Sequence, residues 1–129
     1  KKYNNVLYVE PIYEVHLLDL PNDPAAQLET GQQTYLAAVN AHKAWEIFPG
    51  TSNITIASID TGVQLDHEDF ADNDNNATAD SNGHGTRVAG LHSAVGNNGK
   101  GMAGLAFNSK ILPLKIFKSS NGSGFQAYQ

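Results

Sequence analysis

The chain has 129 residues, 40% of them hydrophobic, and carries a formal net charge of −5, which suits one domain with its own core and argues against nucleic acid, whose phosphates select basic surfaces. No run approaches the roughly 20 apolar residues that cross a bilayer, so no membrane partner is expected. Zero cysteines exclude disulfides and thiolate metal sites and leave the compartment open.

Lys1-Lys2-Tyr3-Asn4-Asn5 is not followed by the apolar run of a signal peptide, and without a starting Met the chain reads as beginning downstream of its true start. Residues 1–20 alternate through Val6-Leu7-Tyr8-Val9 and Tyr13-Glu14-Val15-His16-Leu17 around Pro11, a pattern of extended or edge-strand structure. Leu20-Pro21-Asn22-Asp23-Pro24 is the clearest break, a turn or linker. From Thr34 to Ile47 the chain reads as helical, with Asn40 as an N-cap separating a short turn from a helix over Ala41 to Ile47.

Pro49-Gly50 ends that segment, and the β-branched run Ile54-Thr55-Ile56-Ala57-Ser58-Ile59 suits a buried strand. Residues 71–83, nearly all Asp, Asn, Ala, Ser, Thr and Gly, read as a solvated loop. A helix is expected from His84 to Val95, with Val88, Leu91 and Val95 at helical spacing and close packing at Gly85 and Gly90. After the loop 96–101 a second strand runs from Ile111 to Phe117, with Pro113 an awkward member, and Ser119 to Gly124 is a Gly/Ser turn. Strand, helix, strand implies an α/β fold with a right-handed crossover and a parallel sheet. Two strands cannot complete such a sheet, so the chain reads as part of a longer one.

Asp60-Thr61-Gly62 follows the first strand at its carboxyl end, where open α/β sheets bind ligands. A carboxylate there can accept hydrogen bonds from the turn and stay ionised. Alone, the tripeptide reads equally as a strand-ending turn. His84 opens the string His84-Gly85-Thr86-Arg87-Val88-Ala89-Gly90. An imidazole at a helix N-terminus faces the positive end of the dipole, which disfavours imidazolium and suits a neutral general base. A lone histidine there is more often a cap or surface residue; the whole string is more specific.

Asp60-Thr61-Gly62-Val63 followed by His84-Gly85-Thr86-x-Val88-Ala89-Gly90 resembles the aspartate and histidine signatures of the subtilisin-like serine peptidases, over roughly residues 22–129. The resemblance implies a partial three-layer α/β/α fold and a serine endopeptidase acting on polypeptides through an acyl-enzyme. Asp60 would orient His84, and His84 would take the proton of a serine hydroxyl. The family serine lies in Gly-Thr-Ser-Met-Ala. Gly50-Thr51-Ser52 is followed here by Asn53-Ile54 and precedes Asp60, against the family order, so Ser52 is not expected to be the nucleophile. Ser119, Ser120 and Ser123 lack the strand-to-helix setting, and the 129 residues alone are expected to be inactive. Arg87 stands where many members have histidine.

The resemblance further implies that Gly122, Ser123 and Gly124 line the substrate cleft, where an extended peptide pairs with backbone; by composition they are an ordinary linker. It also extends to the thermitase branch, through Asn22-Asp23-Pro24, Asp69 nine residues after Asp60, and Asn97-Asn98 after the histidine helix. That branch implies a structural calcium held by Asp23, Asp69 and Asn98 side chains and by carbonyls of Val95, Lys100 and Met102, an all-oxygen set. Taken singly, these residues are a turn, a surface charge and a tight bend. Residues 1–20 resemble the end of an inhibitory propeptide, the alternative being a private extension, and residues 21–129 the start of the catalytic domain. Zymogen peptidases of this kind are usually secreted, which implies an extracellular protein. Two rivals stand beside this reading. A retropepsin-type aspartic peptidase would use Asp60-Thr61-Gly62 but leave the His84 string unexplained, and a degenerate subtilase module would bind without catalysis.

Overall fold

The computed structural model describes residues 20–70 and 79–117. After a 3-10 turn, Pro24–Ala26, come α1 (Tyr35–Ala38), α2 (Ala41–Trp45), β1 (Thr55–Asp60), α3 (His84–Ser93) and β2 (Lys110–Lys115). The expected extended segment in residues 1–20 and the Gly/Ser turn 119–124 lie outside the described residues, apart from Leu20. The two strands pair in parallel from Thr55–Lys110 to Asp60–Lys115. This is an α/β arrangement, a small parallel sheet with flanking helices, and it matches the expected part of an α/β/α fold.

Several local expectations need correction. Asn40 stands at the expected N-cap position before Ala41 but makes no side-chain cap bond; it turns the chain by a left-handed backbone, φ 54°, a conformation asparagine tolerates better than most residues. The helix it precedes stops at Trp45, two residues short of Ile47. Helix α3 stops at Ser93 because Ala94 is extended, ψ 138°. Its buried face includes the two glycines expected to pack closely but leaves out the apolar Val88, Leu91 and Val95. It is Gly85, Ala89, Gly90 and Ser93, while Leu91 is 44% exposed. Small side chains let the helix lie close against the sheet, so the larger ones are turned away.

Nor is β1 buried on both faces. Ser58 and Asp60 are covered, whereas Ile59 is 61% exposed and its neighbours on β2, Leu112 and Leu114, are 42% and 40% exposed. The period-two alternation follows from the pleat: α3 covers one face, and among the described residues nothing covers the other. Pro113 is accommodated within β2 opposite Ser58, on a strand with a free edge among the described residues, where its missing N–H costs least.

Two apolar clusters hold these pieces. Trp45 packs with Leu36, Ala41, Ala103 and Phe107 and donates its indole N–H to the Leu105 carbonyl at 2.9 Å. Beneath α3, Val63, Leu65 and Phe70 join Ala89, Ala94 and Ile111. The second cluster anchors the segment after β1 to α3 and β2, and so helps to fix where Asp60 meets His84.

Candidate active site

Strand β1 delivers Asp60 to its carboxyl end, and α3 begins with His84 directly beside it. The imidazole Nδ1 lies 2.8 Å from Asp60 Oδ1 and 3.0 Å from Oδ2. Burial alone would push the Asp60 carboxyl up, but hydrogen bonds from His84 and from the Thr61 N–H outweigh it and hold the group below the usual carboxylate range. An ionised carboxylate only accepts, so Nδ1 carries the proton and donates it. Nε2 is then the nitrogen with a free lone pair, on a side chain 64% exposed. The pair lines a cleft of about 460 Å³ with Ile59, Thr61, Asn82, Ile116 and Phe117.

Glycine at 85 is required by this approach. A Cβ there would lie 2.1 Å from the Gly62 carbonyl oxygen and 3.0 Å from Asp60 Cβ, so any side chain would push the helix off the strand end. Ser52 lies in the turn before β1, at the end of the strand opposite Asp60. Gly122, Ser123 and Gly124 lie outside the described residues.

Residues 79–83 form the expected loop, with Ala79, Ser81 and Asn82 exposed, but Asp80 is not simply solvated. Asp80 is half-buried, and its carboxylate collects donors from both sides. Oδ1 accepts from the Thr61 hydroxyl at 2.9 Å and from the Asn82 and Gly83 N–H groups at 3.2 and 2.9 Å. Oδ2 accepts from the Thr86 N–H and hydroxyl at 2.9 and 2.6 Å. Burial would push its carboxyl up, but the Thr86, Gly83 and Thr61 donors outweigh burial and hold it far below the usual range. Sequence reasoning passed over this residue. The signal was an aspartate two and three residues before N–H groups it can cap, obscured by a run of similar small polar residues.

The proposed metal ligands are drawn into one neighbourhood. Asp23, fully buried, accepts from the Asn97 and Asn98 N–H groups at 2.7 and 3.3 Å, and Asn98 Oδ1 accepts from the Lys100 N–H at 2.8 Å. Asp69 Oδ2 accepts from the Met102 N–H at 3.2 Å, and the Val95 N–H donates to the Asp69 carbonyl at 2.8 Å. Asp69 Oδ1 is buried with no hydrogen-bond partner. Gly101 is pressed against this carboxylate, for a Cβ there would sit 2.0 Å from Oδ2. A buried carboxylate oxygen without a donor is what a hard cation would satisfy. Among the described residues no three His, Cys, Asp or Glu side chains gather around a metal position. A set of two carboxylates, one amide and backbone carbonyls falls outside that composition.

Comparison with known proteins gives the context. Residues 51–129, more than half of the chain, match the Subtilase family of S8 peptidases. The chain is 39% identical to a thermophilic serine proteinase of Bacillus sp. (strain AK1) over 96% of its own length and 33% of that protein's. It is 40% identical to thermitase of Thermoactinomyces vulgaris over 81% of itself and 39% of the relative. It is 35% identical to a calcium-dependent protease of Trichormus variabilis over 78% of itself and 17% of the relative. The chain thus spans about a third of the length of the first two relatives.

Proposed function

This chain belongs to the Subtilase family, and from that membership we propose that it supplies the aspartate and histidine of a serine endopeptidase whose nucleophile lies further along the complete protein. The observation that carries this reading is the 2.8 Å bond from His84 Nδ1 to a carboxylate held ionised. Asp60 fixes the ring and its tautomer and stabilises the imidazolium. Nε2 accepts the proton of a serine hydroxyl as that oxygen attacks the peptide carbonyl, and returns it to the leaving amine. The 129 residues contain no Gly-Thr-Ser-Met-Ala, so they hold the base and its orienting group and not the nucleophile. The substrate is a polypeptide, with Gly122 to Gly124 pairing with its backbone.

A calcium ion held by Asp23, Asp69, Asn98 and the carbonyls of Val95, Lys100 and Met102 belongs to the same reading, in the thermitase branch. The partnerless Asp69 Oδ1 supports it, and so does a relative named for calcium dependence. The ion would tie the Asp23 segment to Asp69 and the 95–102 loop and take no part in the chemistry. Residues 1–20 are the end of the protein's own propeptide. The match covering 96% of this chain takes in most of them, which supports a shared segment over a private extension. Secretion as a zymogen follows from the same resemblance; among the described residues no helix is long and apolar enough to cross a membrane.

The test is made in the complete protein. His84→Ala should remove nearly all turnover of a peptide substrate and labelling by a fluorophosphonate, and Asp60→Asn should lower kcat about 10⁴-fold through the wrong tautomer. Ordinary activity after His84→Ala would overturn the assignment.

A further inference from the structure

We propose that Asp80 is a positioning residue for the Asp60–His84 pair, acting through the hydroxyl of Thr61. The inference rests on the catalytic reading above and assigns a role to a residue outside the triad.

The geometry forms a chain of one-way hydrogen bonds. Thr61 Oγ1 donates its single proton to Asp80 Oδ1 at 2.9 Å, which turns its lone pairs toward α3. The Gly85 N–H donates to Thr61 Oγ1 at 2.9 Å. Gly85 follows His84 directly, and Thr61 follows Asp60 directly, its own N–H donating to Asp60 Oδ1 at 2.6 Å. One hydroxyl therefore ties the backbone beside the base to the backbone beside its partner, and Asp80 sets which way that hydroxyl points. The other Asp80 oxygen holds the Thr86 N–H and hydroxyl, and Thr86 Oγ1 in turn accepts from the Gln64 N–H at 3.1 Å. The first turn of α3 is thus fastened to the loop after β1 from both sides. Lys115, at the end of β2, secures the segment itself by donating to the Ala79 carbonyl.

All five donors on Asp80 require an acceptor, so only an ionised carboxylate satisfies them. An amide in its place would turn an N–H₂ against N–H and O–H groups in either orientation. Mispositioning of reacting groups by an ångström can cost about a hundredfold in rate, so a small shift of His84 suffices for a large effect.

The experiment compares Thr61→Val, Thr61→Ser and Asp80→Asn in the complete enzyme. Thr61→Val and Asp80→Asn should each lower kcat about ten- to a hundredfold with KM changed less than about twofold. Thr61→Ser, which keeps the hydroxyl, should stay near wild type. The double variant should be no worse than Asp80→Asn alone, because both break one link. The downfield proton resonance of His84 Nδ1–H, bridging to Asp60, should broaden or shift in Thr61→Val and not in Thr61→Ser. If Asp80→Asn does not fold, the Thr61 variants decide alone. Wild-type kcat in Thr61→Val, equal losses in Thr61→Ser and Thr61→Val, losses that multiply in the double variant, or an unmoved proton signal would each overturn the proposal. His84→Ala run in parallel separates the two readings. Turnover abolished by His84→Ala but untouched by Thr61→Val would refute the positioning role alone, whereas turnover surviving His84→Ala would refute both.

Discussion

Asp60 and Asp80 share a thermodynamic consequence. Each is held below its ordinary value of 3.8 in the folded chain, by donors that outweigh burial. A carboxyl with a depressed folded-state value contributes stability that is complete above its unfolded value and is lost as pH falls toward the folded one. The complete protein should therefore lose thermal stability steeply below about pH 4. Asp80→Asn cannot titrate, so its melting temperature, lower at neutral pH, should fall less on acidification. Parallel melting profiles for the two proteins between about pH 5 and about pH 2 would show that Asp80 contributes nothing to the acid limb. At this scale the sequence was uneven as a guide. Asp60 and His84 stood out only through the resemblance carried by their two motifs in combination, since each motif's opening residues have an ordinary structural reading alone. Asp80 did not, because its role depends on Thr61 and Thr86, which only folding brings to it.

Among the elements, α3 shows what periodicity can and cannot tell. Its start at His84 was legible from the residue string, and both strands were found within two residues of their ends. Close packing at Gly85 and Gly90 was legible too, but the apolar spacing of Val88, Leu91 and Val95 does not mark the buried face: close approach of helix to strand end selects Gly85, Ala89, Gly90 and Ser93. Gly85→Ala should therefore harm activity more than helix propensity would suggest. Alanine is the better helix former by about 1 kcal/mol, yet its methyl would sit 2.1 Å from the Gly62 carbonyl. Reduced kcat and a lowered melting temperature together are the expected outcome; a more stable, fully active variant would show that α3 can move aside.

The 95–102 loop carries a separate expectation. An ion bound only by the folded state adds about 2.7 kcal/mol at a hundred times its dissociation constant. Chelation should lower the melting temperature of the complete protein with little change in kcat before unfolding. Asp69→Ala should reproduce the loss and abolish the response to added calcium. Superimposable melting curves in calcium and in excess chelator would return Asp23 and Asp69 to ordinary structural roles.

For the molecule as a whole, the informative surface is the bare side of the sheet. A sheet with helices on one face only leaves apolar side chains in water, and a three-layer fold covers the second face with another layer. Here Ile59, Leu112 and Leu114 stand open on that face, and contiguous apolar patches on soluble proteins mark surfaces that bind something. The apolar, β-branched run that revealed the first strand could not reveal this, because a strand buried on both faces and one covered on a single face can differ in their neighbours rather than in their own residues. Expressed alone, the 129 residues should bind a dye specific for exposed apolar surface, self-associate, and show no peptidase activity. Ile59→Lys with Leu112→Lys should suppress both the dye signal and the association. In the complete protein the dye should stay silent, and Leu112→Ala should cost about 2–5 kcal/mol, the range for truncating a buried leucine. A complete protein indifferent to Leu112→Ala would mean that this face remains open to solvent and that the second helical layer packs elsewhere.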